Sequence, residues 1–319
     1  MHYKTKQFFF LLIKLSIVVG AFYFIYSKII ENENLKFHDF VSILNKNNVF
    51  STKNIIFLVF LSFFNWFLEI LKWQNLVKTV QHISFKSATI QSLAALTTSL
   101  ITPNRIGDYG AKAMYYIKTL RTKIVLLNLL GNVEQMFITT LLGCIGLYVF
   151  SVTYSLNINY YKIAYIAIII AVIGLISLIA LKQIQFKIKG FSIASIVTFI
   201  KSVSLKTHLI TLILSLLRYG VFSFQFYYML QMFGLNINYT SAMTVITSMY
   251  LLASVIPTMA ILDVVVKGGI AVFLFTYLGL DELSILSITS LMWLLNFVLP
   301  SIIGGYFVLN FKLPKSVAA

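Results

Sequence analysis

The stretch at 101–112, ITPNRIGDYGAK, places residues able to bind an anion inside an otherwise apolar chain. Pro103 blocks helix continuation, while Gly107 and Gly110 permit a tight bend or a close backbone approach. Arg105 beside this break is suited to phosphate, because a guanidinium and the free N–H groups of a half-helix N-terminus both attract anions. A second interpretation is that Arg105 reaches the membrane interface and only anchors the loop.

Two carboxylate–lysine pairs share one helical spacing. Asp108 and Lys112 are four residues apart, as are Asp263 and Lys267, so each pair is predicted to lie on one face of a helix. Asp108 can also cap the helix that follows the break. For both pairs, a structural ion pair and a contact to a substrate stay open as alternatives.

Further polar residues interrupt the apolar segments. Glu134 and Arg218 are predicted to lie at similar membrane depth, where a buried ion pair would offset the cost of each charge. A contact to a substrate is an equally open interpretation for this pair. Asn128 and Asn132 are four residues apart and are expected to form hydrogen bonds between helices.

The composition identifies the environment of these residues. Of 319 residues, 59% are hydrophobic and 11% charged, and the mean hydropathy is +0.90. A soluble domain of this size would carry far more charge, so we predict an all-α integral membrane protein with residues 1–319 as one polytopic domain. Because no soluble basic domain is apparent, the net charge of +16 does not indicate nucleic-acid binding. We find no catalytic constellation, metal-ligand spacing or nucleotide loop, and expect no enzyme activity, metal or cofactor.

Hydropathy predicts about six full transmembrane helices and two broken, re-entrant hairpins. The predicted spans are 8–30, 54–71, 124–150, 161–181, 207–231 and 283–309, and the hairpins cover 87–120 and 240–280. Residues 31–53 and 182–206 are predicted to contain amphipathic helices at the interface. Glu69 and Lys72, near the inner end of the second span, are expected to be interfacial.

Charge predicts the orientation. With the N-terminus inside, the cytoplasmic segments carry most of the 25 basic residues and no acidic residue. This asymmetry satisfies the positive-inside rule and predicts that both termini are cytoplasmic. The richness in Ile, Lys, Asn, Phe and Tyr indicates an AT-rich genome, so we expect a bacterial cytoplasmic membrane.

The two hairpins have similar sequences. SLITPNRIGDYGAKAMYY at 99–116 and SVIPTMAILDVVVKGGIAVF at 254–273 each lead from Ser to a proline, then to Asp, Lys and small residues. Pro257, Gly268 and Gly269 are the expected hinge positions of the second hairpin. In the predicted topology the hairpins enter from opposite sides, which indicates an inverted repeat with a transport site near the midplane. Since the match is short, chance similarity remains an alternative.

The motif around Pro103 resembles a known family. TPNRIGDYGAK, VEQMF at 133–137 and the proline element at 257–269 are similar to the membrane domain of lysylphosphatidylglycerol synthases and to its stand-alone, flippase-like relatives. Pro103, Gly107, Asp108 and, with one extra residue, Lys112 match the family's Pro-x-x-x-Gly-(Glu/Asp)-x-x-(Arg/Lys) element. Two departures are the missing arginine after Glu134 and the missing glycines of the second element. No soluble aminoacyl-transferase domain follows, so the synthase activity is not expected.

The resemblance implies translocation of a lipid between leaflets. Our first hypothesis is a flippase for an anionic or aminoacylated phospholipid, with a cationic midplane cavity between the hairpins. Its expected partners are a membrane phospholipid or a lipid-linked substrate, and a homo-oligomer is possible. An intramembrane enzyme acting on a lipid-linked substrate and a proton-coupled exporter of a small solute are the alternatives.

Overall fold

The structure, a computed structural model, describes residues 51–100, 105–154, 193–256 and 263–314, and the single positions 42, 45, 46, 49 and 102. These residues are almost all helical, and none of them lies in a β-strand. The α-helices are α1 (Thr52–Val77), α2 (Phe85–Ser99), α3 (Ile106–Met114), α4 (Lys118–Thr153), α5 (Ile193–Ser202), α6 (Leu205–Met232), α7 (Tyr239–Val255), α8 (Asp263–Thr276), α9 (Glu282–Trp293) and α10 (Leu299–Leu309). A π-helical segment, Leu294–Val298, joins α9 to α10.

Within the described residues, four helices are long and apolar enough to cross a membrane: α1, α4, α6 and the continuous Glu282–Leu309. They confirm the second, third, fifth and sixth predicted spans, and each is longer than predicted. The first span, the fourth span, most of the interfacial segment at 31–53 and residues 182–192 of the second interfacial segment lie outside the described residues. The helix α5 falls at the end of the second of these segments.

Short polar side chains begin several helices. Ser84, Ser204, Asn238 and Asp281 each accept a hydrogen bond from a backbone N–H of the first turn of α2, α6, α7 and α9 respectively. Such N-caps satisfy N–H groups that have no partner inside the helix. The polar residues between apolar segments therefore define where these helices start.

Each hairpin consists of two short helices. Helices α2 and α3 have 15 and 9 residues, and α7 and α8 have 17 and 14, so none of them reaches the usual length of a full span. The breaks fall where the sequence predicts them, although Pro103 and Pro257 themselves lie outside the described residues. Gly110, Gly268 and Gly269 lie within the continuous helices α3 and α8 rather than at the breaks.

The turn of the first hairpin is tight. The backbone N–H of Gly107 donates to the Thr102 hydroxyl at 2.8 Å, and the Thr98 hydroxyl donates to the Gly107 carbonyl at 3.1 Å. A Cβ atom at Gly107 would overlap the carbonyl group of Thr98, so this position requires glycine. The start of α3 is thereby held against the end of α2.

The two hairpins pack reciprocally. The span that follows the first hairpin, α4, packs along α7, and the last part of the final span, α10, packs along α2. Both contacts are close, because a Cβ atom at Gly146 of α4 would overlap Thr247, and one at Gly304 of α10 would overlap Leu93 and Thr97. The spans that precede the hairpins, α1 and α6, pack against each other. In the described chain, a spanning helix of each half thus packs against the hairpin of the other half.

Candidate functional site

Two adjoining cavities lie between the hairpins. Their volumes are about 530 and 290 Å³, and we call them the large and the small cavity. They share seven lining residues: Trp66, Arg105, Gln135, Met136, Thr139, Arg218 and Ser254. Asp108 and Lys112 of the first hairpin line the small cavity, and Asp263 and Lys267 of the second hairpin line the large one. The structure therefore brings the charged pairs of both hairpins to one region.

The amide of Asn128 bonds to both members of the Asp108–Lys112 ion pair on α3. Asp108 Oδ1 lies 3.3 Å from Lys112 Nζ, and both residues are buried. The Asn128 amide of α4 donates to Asp108 Oδ2 at 2.7 Å, and its oxygen accepts from Lys112 Nζ at 2.8 Å. The N-cap of α3 is Arg105, and Asp108 lies in the first turn of this helix. Its carboxylate is held by the hydrogen bond from the Asn128 amide.

The indole ring of Trp73 contacts the ammonium group of Lys112. Lys112 Nζ lies 4.5 Å from the ring centroid of Trp73, whose Nε1 donates to Gln91 Oε1 at 2.8 Å. The Tyr116 hydroxyl donates to the same oxygen at 2.9 Å. The contacts hold Lys112 in one position at the wall of the small cavity.

The pair on α8 is more accessible. Asp263 Oδ2 lies 2.7 Å from Lys267 Nζ, and both side chains are only partly buried. Three aromatic rings surround the ammonium group, those of Phe222, Tyr250 and Phe297, with centroids 5.8, 5.9 and 5.5 Å from Nζ. Cation–π attraction therefore supplements the carboxylate. The predicted spacing of four residues gives a direct ion pair on both hairpins.

Glu69 is shared by two cations. Its Oε2 lies 2.7 Å from Lys72 Nζ and 2.9 Å from Arg218 Nη1. Lys72 is only 3% exposed, so this pair is buried within the protein, and its predicted position at the membrane interface stays a prediction. The predicted Glu134–Arg218 pair is wrong. Similar depth in the membrane does not place two residues on facing sides of their helices, and Arg218 faces α1 instead.

Glu134 has a different partner. Its Oε1 lies 2.6 Å from Nδ1 of His208 on α6, and Nε2 of His208 lies 3.4 Å from the Ile200 carbonyl. Neither Glu134 nor His208 lines the two cavities. The sequence gives no indication of this contact, because a single histidine near a helix start has no recognisable spacing to a residue of another span.

Arg105 has an unusual backbone conformation. Its φ of 58° is the one positive value at a non-glycine position in the described part of the chain. The side chain is exposed, its guanidinium carbon lies 5.9 Å from the Phe297 centroid, and no carboxylate of a described residue lies within 4 Å. Left-handed backbone at an arginine costs about 1–2 kcal/mol. Strain of this kind is typical of functional sites.

A buried amide network that sequence reasoning did not identify positions Arg218. Arg218 Nε donates to Asn65 Oδ1 at 3.1 Å, and the Asn65 amide donates to Asn296 Oδ1 at 3.0 Å. Asn296 in turn donates to Gln225 Oε1 at 2.9 Å, and its backbone carbonyl, in the π-helical segment, accepts from Trp66 Nε1 at 2.9 Å. Amide side chains within apolar spans are the available sequence signal, because such groups need partners inside the protein.

Comparison with known proteins identifies the family. The profile of the lysylphosphatidylglycerol synthase TM region matches residues 11–304. The chain belongs to this family. No curated protein and no solved structure matches it significantly. Membership and the apolar helices together indicate a multi-pass membrane protein with a role related to membrane lipids.

The sequence motif TPNRIGDYGAK, which resembles the family, contributes residues to the lining of the cavities. In this member of the lysylphosphatidylglycerol synthase TM family, Gly107 makes the close turn against α2, and Asp108 and Lys112 reach the wall of the small cavity. Glu134 of the second family element faces His208, whereas the adjacent Gln135 lines both cavities. The residue directly after Glu134 therefore belongs to the lining of the site in this chain.

Proposed function

We propose that the protein translocates an anionic phospholipid or lipid-linked substrate between the leaflets of a membrane. The headgroup passes through the large and small cavities while the acyl chains stay in the bilayer. One observation carries this proposal: charged residues of both hairpins line two cavities that share Arg105 and Arg218. Charge at membrane depth is costly and is characteristic of substrate pathways.

The charge of the lining favours an anion. Among the described residues, the two cavities are lined by the cations Arg105, Lys112, Arg218 and Lys267 and by the carboxylates Glu69, Asp108 and Asp263. Cations are in excess, and Lys72 behind Glu69 adds another. A phosphate entering here would supply the missing negative charge.

An opening toward lipid gives the acyl chains a place to remain. Met136 and Thr139 of α4 line both cavities, and Met136 is 46% exposed on the helix surface. Its neighbours Val133 and Phe137 are also exposed and apolar. A lipid held here can keep its tails against α4 while its headgroup reaches the arginines.

The reciprocal packing supports an inverted repeat. In this proposal the hairpin α2–α3 enters from the cytoplasmic side and α7–α8 from the opposite side, so their ends meet near the midplane. The exchange of contacts, α4 with α7 and α10 with α2, is what a two-fold axis between the halves would produce. The site would then be accessible alternately from each leaflet.

Replacement of Arg105 by glutamine tests the proposal. We expect Arg105→Gln to slow translocation of fluorescent phosphatidylglycerol in proteoliposomes by about 10-fold or more, because a charge-assisted contact contributes about 1.5–3 kcal/mol. Lys201→Gln removes an exposed cation of α5, away from the cavities, and is expected to translocate like the wild type. Equal rates for wild type and Arg105→Gln would remove Arg105 from the pathway.

Replacement of the same residue by glycine separates the backbone from the side chain. Glycine accepts positive φ without strain, so Arg105→Gly is expected to raise thermal stability by up to about 1 kcal/mol in the free energy of unfolding. Translocation is expected to remain as low as in Arg105→Gln. Recovery of wild-type translocation in Arg105→Gly would mean that only the turn, and not the guanidinium, matters.

The proposal also excludes covalent change of the lipid. Lipid extracted after translocation is expected to have its original mass. A modified lipid formed by purified protein would favour the intramembrane enzyme. Movement of a small solute that depends on a proton gradient, without movement of lipid, would favour the exporter.

A further inference from the structure

We infer that the cavities select a headgroup whose terminal phosphate carries two negative charges, such as a phosphomonoester, over a singly charged phosphodiester. This inference rests on the proposed function and names its substrate class. It is based on where the unbalanced charges of the site lie and on the Tyr250 hydroxyl, which has no hydrogen-bond partner in the described part of the chain.

The hairpin lysines are already neutralised. Lys112 pairs with Asp108 at 3.3 Å and Lys267 with Asp263 at 2.7 Å, one cation to one carboxylate. Glu69, in contrast, lies within 3 Å of two cations, Lys72 and Arg218, and leaves one positive charge unbalanced. Arg105, which has no carboxylate within 4 Å in the described part of the chain, adds a second.

Both unbalanced charges are presented by guanidinium groups. Arg105 and Arg218 each line both cavities, whereas Lys72 is buried behind Glu69 and lines neither. Guanidinium groups bind phosphate oxygens through paired, parallel hydrogen bonds. The amide of Asn65 fixes Arg218 by accepting from its Nε, so this arginine is held in place before a ligand arrives.

Two tyrosine side chains complete the arrangement. Tyr219 and Tyr250 line the large cavity, are only 6% and 7% exposed, and pack with their rings at right angles. The Tyr250 hydroxyl has no hydrogen-bond partner among the described residues, whereas the Tyr219 hydroxyl lies close to Ser223. A buried hydroxyl without a partner is costly, and a phosphate oxygen at this wall would provide the acceptor that Tyr250 lacks.

The expected selectivity follows from the number of negative charges on the phosphate group. A phosphodiester carries one negative charge and leaves one arginine unbalanced, whereas a phosphomonoester carries about 1.5 to 2 negative charges at pH 7. Arg218 is partly buried, and an unbalanced charge costs more there than in water. We therefore expect the phosphomonoester to bind about 10-fold more tightly, since it makes one additional charge-assisted contact.

Binding can be measured with two lipids that share their acyl chains. The protein in phosphatidylcholine nanodiscs is titrated with dioleoyl phosphatidic acid, a phosphomonoester, and with dioleoyl phosphatidylglycerol, a phosphodiester, at pH 7.5. Ligand binding is followed by the increase in melting temperature. Arg105→Gln is expected to lose most of the preference for phosphatidic acid, and Lys201→Gln to keep it. Equal affinity of the wild type for the two lipids would overturn the inference.

Free phosphate provides a further arm of the experiment. Inorganic phosphate at the same concentration is expected not to displace phosphatidic acid, because it gains nothing from the lipid-facing opening at Met136. Displacement at equal concentration would identify a soluble phosphate as the ligand and overturn the lipid assignment.

Translocation is measured separately, so that the two proposals can fail independently. Translocation of both lipids with equal affinity would leave the proposed function in place and remove the selectivity. A preference for phosphatidic acid in binding without translocation of either lipid would support the selectivity and contradict the proposed function.

Tyr250→Phe tests the hydroxyl. This variant removes a group without a partner and keeps the ring beside Lys267, so the ligand-free protein is expected to be as stable as the wild type or more stable. Binding of phosphatidic acid is expected to weaken by about 3- to 10-fold, as for the loss of one hydrogen bond. Unchanged binding would show that Tyr250 does not contact the phosphate.

Discussion

At the scale of single residues, the partners of each charge decide its role. Lys112 and Lys267 have their own aspartates, and their ammonium groups also contact aromatic rings. Glu69 holds two cations, one of which lines the cavities. The residues that balance charge in the interior are therefore distinct from those that offer charge to a ligand.

Removal of the Glu69 charge should destabilise the protein. Glu69→Gln leaves Lys72 and Arg218 without their carboxylate in a buried site, so we expect a loss of about 3 kcal/mol in the free energy of unfolding. Thermal unfolding in detergent micelles measures the effect. Glu282→Gln, at an exposed position in the first turn of α9, should stay within about 0.5 kcal/mol of the wild type. A Glu69→Gln protein as stable as this control would contradict the shared ion pair.

Pairs within one helix were predictable, and pairs between helices were not. The spacing of four residues predicts Asp108–Lys112 and Asp263–Lys267, because the helix itself brings such side chains together. Asn128 was correctly expected to bond between helices, but its partners were not identified. Glu134 and Arg218 were paired incorrectly, since depth in the membrane does not define the direction in which a side chain points. The positive φ of Arg105 has no signature in residue type.

At the scale of elements, close helix contacts at glycine hold the hairpins. Thr97 of α2 donates to the Ser301 carbonyl of α10 at 2.8 Å, beside Gly304. On the other side, Gly143 and Gly146 let α4 approach α7. Small residues allow such approaches in membrane proteins, where packing rather than water drives association.

A methyl group at Gly304 should disturb this contact. In Gly304→Ala the added Cβ would overlap the Leu93 carbonyl and Thr97, so we expect a loss of about 1–3 kcal/mol in the free energy of unfolding. Gly220→Ala, in α6, is the matched control, because no atom of a neighbouring element lies within 4 Å of the added Cβ. Since alanine has the higher helix propensity, this variant should be as stable as the wild type or more stable by up to about 1 kcal/mol. Equal melting temperatures for the two variants would contradict the close approach.

The elements were predictable because hydropathy and proline act locally. The four described spans and the division of each hairpin into two short helices follow from apolar runs and helix-breaking residues. The ends were less accurate: α1 and α4 extend past the predicted spans, since a helix can continue after its apolar run ends. The π-helical segment at Leu294–Val298 was not anticipated, and its Asn296 bonds to Trp66 and Gln225 of other helices, contacts that local sequence does not reveal.

At the scale of the whole molecule, each half of the described chain covers part of the hairpin of the other half. Neither hairpin has both of its arms covered by its own half, because α2 depends on α10 and α7 depends on α4. The cavities lie where the halves meet and take lining residues from both. A site built in this way does not exist in either half alone.

Labelling of cysteines tests the proposed opposite entry of the hairpins. Cys144 is exposed, so the background is Cys144→Ser. Lys86→Cys, at the start of α2, should react with a membrane-impermeant maleimide only from the cytoplasmic side, and Thr240→Cys, at the start of α7, only from outside. Both positions are exposed. Labelling of the two cysteines from the same side would contradict the inverted repeat and the orientation inferred from charge.

The sequence indicated that two distant hairpins are related, but not how they meet. Similar motifs at 99–116 and 254–273 suggested a common site, and the charged pairs do line adjoining cavities. The polar wall formed by Asn65, Gln225 and Asn296 could not be assembled in advance, because it joins three spans at sequence separations of up to 231 residues. Such contacts depend on the rotation of each helix about its axis.

The wide turn at Leu294–Val298 has a consequence for the final span. The turn absorbs one extra residue, so every later residue lies about 100° from the angle that its number would give in an uninterrupted α-helix. The side of α9 that points inward and the side of α10 that bears Gly304 are therefore out of phase with a single regular rod. Removal of one residue from this turn would restore a regular helix and leave Gly304 facing α2, whereas an additional residue would turn the glycine away by about 100°, although hydropathy would hardly change in either case.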